Sequence, residues 1–128
     1  PSRSFKSAGL SRQKISYLKN IAKAFKNKSF DVRKLKKMND DEAINYITKL
    51  KGLGVWSSQM LMIFNLNRPD VFPVKDIGLL RAISKNYRKT SYPPSKKFLE
   101  KISKLHAGYR SVFTWYMWRS IDPTDVTY

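Results

Sequence analysis

Hydrophobic residues recur along most of this chain at intervals of three and four positions, the spacing that places side chains on one face of an α-helix. The clearest stripe lies in residues 10–28, where Ser11 is a candidate N-cap and the lysines fall largely off the apolar face. A short helical turn is predicted over 30–37, and Asn39 or Asp40 can begin the next helix. Strand-like alternation is scarce, so the pattern predicts an all-α fold.

The second half of the chain continues this helical pattern between clear breaks. A helix over 55–66 is apolar on more than one side, which is typical of a central helix. An extended apolar stretch follows at 71–74, because Pro73 bars a helix there. Three more helices are predicted, over 76–87, over 96–105 behind a Ser95 cap, and over 109–121 after Gly108. We therefore expect six or seven helices in a single helical domain spanning 1–128.

Charge is the strongest signal in the composition. Lys and Arg number 26 against 9 Asp and Glu, a net charge of +17, which favours a polyanionic partner. Nucleic acid is the first candidate, because neutralising phosphates releases counterions. An anionic membrane or a ribosome is a weaker alternative, and a basic protein without a specific partner is another. The lack of cysteine excludes disulfides, thiolate metal sites and cysteine nucleophiles, and a single histidine excludes a histidine metal cluster.

A short segment with two glycines, Leu50-Lys51-Gly52-Leu53-Gly54, joins two predicted helices. Glycines permit positive φ angles and a close approach to another surface, and the helix that follows begins with amide groups that can bind a phosphate. Lys51 adds a full positive charge, and the hydroxyls of Ser57 and Ser58 lie in the first helical turn. An ordinary helix cap and turn is the alternative interpretation.

Asp76 stands apart among the nine acidic residues. Most of the others are explained by helix starts, turns or lysine-rich surfaces, whereas Asp76 lies between Val74 and the apolar run that begins at Ile77. A partly desolvated carboxylate is a candidate catalytic group. An N-cap is the alternative, and the two roles are compatible. His106, the one histidine, is expected to be a surface or helix-end residue.

These elements together resemble the helix-hairpin-helix (HhH-GPD) base-excision DNA glycosylase superfamily, and more narrowly its 3-methyladenine DNA glycosylase II branch. The resemblance covers roughly residues 8–120. It rests on the runs Gly9-Leu10-Ser11-Arg12-Gln13-Lys14, Gly52-Leu53-Gly54-Val55-Trp56-Ser57, Val71-Phe72-Pro73-Val74-Lys75-Asp76-Ile77-Gly78-Leu79, Tyr109-Arg110-Ser111 and Trp115-Tyr116-Met117-Trp118-Arg119.

The resemblance implies a glycosylase that hydrolyses the N-glycosidic bond of alkylated purines, such as 3-methyladenine, in duplex DNA. Asp76 would be its catalytic carboxylate. Aromatic residues Trp56, Trp118 and Tyr116 would bind the base, although core packing is the alternative for each and is the one we favour for Trp115. Bifunctional members carry a nucleophilic lysine where this chain has Trp56, so no lyase activity is expected.

The hairpin carries the remaining expectations from the family. The resemblance implies that the hairpin binds the DNA backbone and makes no base-specific contacts. The predicted contacts are Lys51, Gly52, Gly54, Val55, Ser57 and Ser58. The resemblance also implies a monovalent cation, Na⁺ or K⁺, on the backbone carbonyls of Thr48, Leu50 and Leu53, with no other cofactor required.

The chain also departs from the family. It shows no match to the family's earlier helices or to the loop that fills the gap left by a flipped base, so we expect a fragment of a longer glycosylase that lacks its N-terminal helices. The segment around His106 and Gly108 differs from the family's usual sequence. A non-catalytic helix-hairpin-helix DNA-binding module is therefore the alternative function. We expect a monomer that binds damaged duplex DNA and no membrane, in a bacterial cytoplasm.

Overall fold

A computed structural model describes residue 5 and the ranges 8–87 and 90–122. The elements within these ranges are all helical, which confirms the predicted all-α class. The α-helices are α1 (Arg12–Lys26), α2 (Asp40–Ile47), α3 (Val55–Phe64), α4 (Ile77–Asn86), α5 (Lys96–Leu105) and α6 (Arg110–Arg119), and a 3₁₀ helix (Val32–Lys37) lies between α1 and α2. Within the described ranges, no helix is long and apolar enough to cross a membrane.

The chain divides into two compact units, Pro1–Ser58 and Gln59–Tyr128. In the first, side-chain caps begin the helices. Ser11 caps α1 and Asn39 forms a capping box with Glu42 at α2, as the sequence predicts, and Asp31 caps the 3₁₀ helix. The core of this unit is apolar. Its buried hydrophobic residues are Ile15, Ala24, Phe30, Leu35, Ala43, Ile47 and Leu50.

The second unit is built around one cluster of buried apolar side chains from α4, α5, α6 and the loop before α4. The cluster consists of Phe72, Leu79, Ile83, Ile102 and Phe113. The extended stretch predicted at 71–74 is present, and Val71, Phe72 and Pro73 within it are buried. His106 is the C-cap of α5, as expected for a helix-end residue, and its ring stacks on Phe113 at 4.1 Å. This packing fixes the segment that leads into Asp76.

Candidate active site

The predicted hairpin forms between α2 and α3. The N–H of Leu53 donates to the carbonyl of Leu50 at 3.0 Å, which closes a tight turn around Lys51 and Gly52. Lys51, Gly52 and Gly54 are exposed. The turn therefore exposes its backbone and one lysine to solvent directly before the start of α3. The positive end of the α3 helix dipole lies there.

Both the backbone φ angle at position 52 and the nearby Tyr17 side chain require glycine there. Its φ angle is +110°, a value that side-chain-bearing residues rarely adopt. A Cβ atom there would lie 2.4 Å from Cγ of Tyr17, whose hydroxyl accepts a 2.6 Å hydrogen bond from the Gln13 amide. Beside Gly54 there is open space instead. One glycine thus serves the packing of the hairpin, and the other leaves its outer surface uncovered.

The remaining predicted hairpin residues lie in the first turn of α3 and differ in their exposure to solvent. Val55 and Trp56 are each 51% exposed, whereas Ser58 is fully buried. The Ser58 hydroxyl donates to the carbonyl of Gly54 at 2.9 Å. It therefore holds the hairpin to the helix and does not face solvent, in contrast to the hydroxyl contact with phosphate that we predicted. Ser57 is half-buried.

Asp76 is the N-cap of α4, so the alternative that we set beside catalysis is correct as geometry. Its Oδ1 accepts a 2.6 Å hydrogen bond from the N–H of Leu79, and its N–H donates to the carbonyl of Pro73 at 2.8 Å. The residue is 9% exposed. A carboxylate with so little exposure has few conformations open to it, and the capping bond restrains its orientation.

Trp118 reaches the same carboxylate from α6. Its indole Nε1–H donates to Oδ1 of Asp76 at 2.8 Å, and the residue is 9% exposed. The ring of Phe64 stacks on the indole, with 5.8 Å between centroids and 15° between planes. The structure thus brings Trp118 to Asp76, and little of its surface is left for stacking on a base.

Gly78 makes room for this contact. A Cβ atom at Gly78 would lie 3.1 Å from Oδ1 of Asp76 and 3.2 Å from Cδ1 of Trp118. Both distances are tighter than nine in ten real Cβ contacts. With a side chain at this position, the carboxylate or the indole would have to shift by a few tenths of an ångström.

The N-terminal end of α6 holds the same loop by charge. The Arg110 guanidinium donates to both carboxylate oxygens of Asp70, at 2.6 and 2.5 Å, and the N–H of Gly108 adds a third hydrogen bond. These interactions lower the pKa of Asp70 to about 2, and the hydrogen bonds from the Arg110 guanidinium contribute most. The buried Ser111 accepts from the N–H of Val71 and donates to the carbonyl of Arg68. Helix α6 therefore fixes the segment 68–76 at both ends.

Two other aromatic residues of α6 face outward, whereas Phe113 is buried in the core. Tyr116 is 60% exposed and Trp115 is 39% exposed, and their rings meet edge to face at 5.1 Å. The core position that we favoured for Trp115 is therefore wrong. It and Tyr116 line a shallow depression with Ile63 and Arg68.

Three features of this site were not singled out from the sequence. In the sequence, Phe64 was interpreted only as one more apolar residue of a central helix, and Gly78 only as part of a run that carries the family resemblance. Asp70, which follows Pro69, was one of the acidic residues explained by a turn. Contacts across about 40 residues leave no local pattern, so only the fold pairs Asp70 with Arg110.

Comparison with known proteins identifies the family of this helical chain. The sequence model of the HhH-GPD superfamily base excision DNA repair proteins matches residues 3–107. The chain belongs to this family.

Relatives and solved structures place the chain within that family. It is 32% identical over 123 residues to DNA-3-methyladenine glycosylase 1 of Schizosaccharomyces pombe, covering 95% of this chain and 54% of that protein. It is 35% identical over 139 residues to the DNA-3-methyladenine glycosylase of Saccharomyces cerevisiae, covering 87% of this chain and 47% of that one. The S. pombe 3-methyladenine DNA glycosylase solved in complex with abasic DNA superposes with a TM-score of 0.80 at 31% identity, over 96% of this chain and 60% of that chain.

The chain spans about half the length of the curated relatives that it matches. The Bacillus halodurans DNA-3-methyladenine glycosidase shows the same proportion, with a TM-score of 0.80 at 30% identity over 94% of this chain and 55% of that structure.

Proposed function

We propose that this protein is a DNA glycosylase that hydrolyses the N-glycosidic bond of alkylated purines in duplex DNA, with Asp76 as its catalytic carboxylate. The observation that carries the proposal is the buried, doubly hydrogen-bonded Asp76 at the start of α4 in a chain of this family. The relatives named DNA-3-methyladenine glycosylase support alkylated purines as the substrate class.

In the proposed reaction, the leaving base needs little activation, whereas the charge that develops on the sugar needs stabilisation. A 3-methylated adenine is cationic and leaves readily, so acid catalysis contributes less than stabilisation of the positive charge that develops on the sugar. A fixed carboxylate stabilises such an oxocarbenium-like centre and can orient the attacking water. Because the base must first leave the duplex stack, aromatic surfaces are needed to receive it. The exposed Trp56 and Tyr116 are the candidates, since stacking and cation–π attraction contribute about 0.5–2 kcal/mol each.

The hairpin would hold the DNA backbone. Lys51 supplies a charge, while Gly52 and Gly54 allow the main chain to approach a phosphate next to the first turn of α3, where Val55 and Ser57 lie. The backbone carbonyls of Thr48, Leu50 and Leu53 supply hard oxygen ligands, the type to which Na⁺ or K⁺ would bind. The Leu50 carbonyl keeps a second lone pair beside its bond from Leu53. These residues would hold a cation that adds positive charge at the backbone contact.

The residue at position 56 supports hydrolysis without strand cleavage. A lyase needs an amine that forms a Schiff base with the sugar, and the family resemblance places the lysine of bifunctional members where this chain has Trp56. The expected product is therefore an intact strand with an abasic site.

The test is incubation of the full-length protein with methylated duplex DNA, with mass spectrometry of released bases and denaturing electrophoresis of the strand. Free 3-methyladenine, and cleavage of the strand only after alkali, are expected. Salt-sensitive duplex binding with no released base would favour the non-catalytic DNA-binding module. Cleavage without alkali would contradict the monofunctional mechanism.

A further inference from the structure

We propose that Trp118, held by Phe64, is the positioning residue of the Asp76 carboxylate, and does not act as a stacking platform for the base. This inference rests on the proposed function, because it assigns how the catalytic group of that reaction is held. The contact that carries it is the 2.8 Å hydrogen bond from the indole Nε1–H to Oδ1 of Asp76.

Two donors from different helices converge on the same oxygen. The N–H of Leu79 belongs to α4, as a capping bond requires, and the indole N–H of Trp118 comes from α6. One capping bond allows a carboxylate to rotate about the bonded oxygen. A second donor from another direction fixes the plane of the group, and such fixed polar groups stabilise charge without reorganising during the reaction.

The indole is itself held on more than one side. Phe64 stacks on its face, and the ring packs closely against Gly78, where an added Cβ would lie 3.2 Å from Cδ1 and 3.3 Å from Nε1 of the indole. Phe64 is 51% exposed, so an exposed aromatic ring of α3 is placed against a buried one. The stack restrains rotation of the indole and thereby keeps its N–H aimed at the carboxylate.

Burial argues against the other role for Trp118. A ring that stacks on a flipped base must offer a free face, but Trp118 is 9% exposed and Phe64 already stacks on it. The free aromatic surface described in this unit lies on residues such as Tyr116 and Phe64 itself.

The variant that tests the role is Trp118→Phe, which keeps a ring of similar kind and removes the N–H donor. Since a misplacement of about 1 Å can cost on the order of 10²-fold in rate, we expect the single-turnover rate of base release to fall by about 10- to 100-fold. Affinity for a duplex with an abasic site should change by less than about twofold, because backbone contacts supply most of it. Trp115→Phe is the matched control: it changes a more exposed tryptophan on the same helix and should retain the wild-type rate.

A second measurement reports on the hydrogen bond without requiring activity. The indole N–H resonance of Trp118, assigned by its loss in Trp118→Phe, should lie downfield of that of the more exposed Trp115 and should move upfield in Asp76→Ala. This readout stands even if no base is released, so failure of the proposed function can be told apart from failure of the positioning role.

Three results would overturn the inference. One is a Trp118→Phe enzyme with the wild-type rate. Another is a variant with unchanged maximal rate and weaker binding of the damaged base, the pattern expected of a stacking residue. The third is an indole resonance that does not respond to Asp76→Ala, which would also decide the matter if Trp118→Phe failed to fold.

Discussion

The indole nitrogen of Trp118 lies 2.8 Å from Oδ1 of Asp76, although 42 residues separate them in the chain. Asp76 is the first residue before α4, and Trp118 is in the last turn of α6. The candidate catalytic carboxylate is therefore anchored by its own helix and by a neighbouring one, and changes at the residues that anchor it should alter its chemistry.

Gly78→Ala is expected to disturb this contact. The added methyl group would lie 3.1 Å from the Asp76 carboxylate and 3.2 Å from the indole, so one of them must shift. Overpacking of this kind costs about 1–3 kcal/mol. We expect a lower melting temperature and a rate of base release reduced at least tenfold, measured by thermal unfolding and single-turnover assay. A variant with wild-type stability and rate would show that the space beside Gly78 is not needed.

The Asp70–Arg110 pair should make stability depend on pH at the acid end. The arginine lowers the pKa of Asp70 from its ordinary value of 3.8 to about 2. A carboxylate with a lowered pKa stabilises the fold above its unfolded-state value, and that contribution is lost as the pH falls from about 4 towards 2. With both side chains about one-third exposed, we expect about 1–2 kcal/mol at neutral pH.

Asp70→Asn should remove that contribution. Denaturant unfolding measured between pH 2 and 7 should show the variant less stable at pH 7 and the two proteins converging near pH 2. Asp41→Asn, which removes an exposed carboxylate in the first turn of α2, controls for the loss of one negative charge. A difference between Asp70→Asn and wild type that stays constant down to pH 2 would contradict the ion-pair explanation.

The two hairpin glycines should fail in different ways. Gly52→Ala places a Cβ 2.4 Å from the Tyr17 ring at a φ angle of +110°, so we expect a loss of about 2 kcal/mol or more in unfolding free energy. Gly54→Ala meets open space, so stability should stay near wild type while affinity for duplex DNA falls, because the methyl group would stand between the backbone and a phosphate. Thermal unfolding and DNA titration at one salt concentration measure both. Equal losses of stability in the two variants would refute this division of roles.

Local signals allowed much of the fold to be predicted from the sequence. Ser11, Asp31, Asn39, Asp76 and Ser95 are caps in the structure, and each stands at the start of an apolar stripe. A capping residue and helical periodicity act within one turn of the chain, so they are visible without the fold.

The parts of the site that were not predicted depend on contacts between distant residues. Trp118 matched a family position, but its N–H could not be assigned to Asp76 until α6 was placed beside α4. Trp115 and Trp118 stand three residues apart on one helix, and nothing in the sequence shows that one faces outward while the other is buried. Ser58 differs from these cases, because its partner, the carbonyl of Gly54, lies one helical turn away, and what the sequence did not show is that tertiary packing buries Ser58.

The central claim is that Asp76 carries the chemistry, and Asp76→Asn tests it most directly. Asparagine keeps the size and an oxygen that can accept the bonds from Leu79 and Trp118, but it removes the charge. Release of 3-methyladenine from methylated duplex DNA, followed by mass spectrometry alongside wild type and Asp41→Asn, should fall by at least 10²-fold in Asp76→Asn alone, with affinity for abasic DNA retained. Release at the wild-type rate by the folded Asp76→Asn protein would contradict the assignment of Asp76 as the catalytic carboxylate.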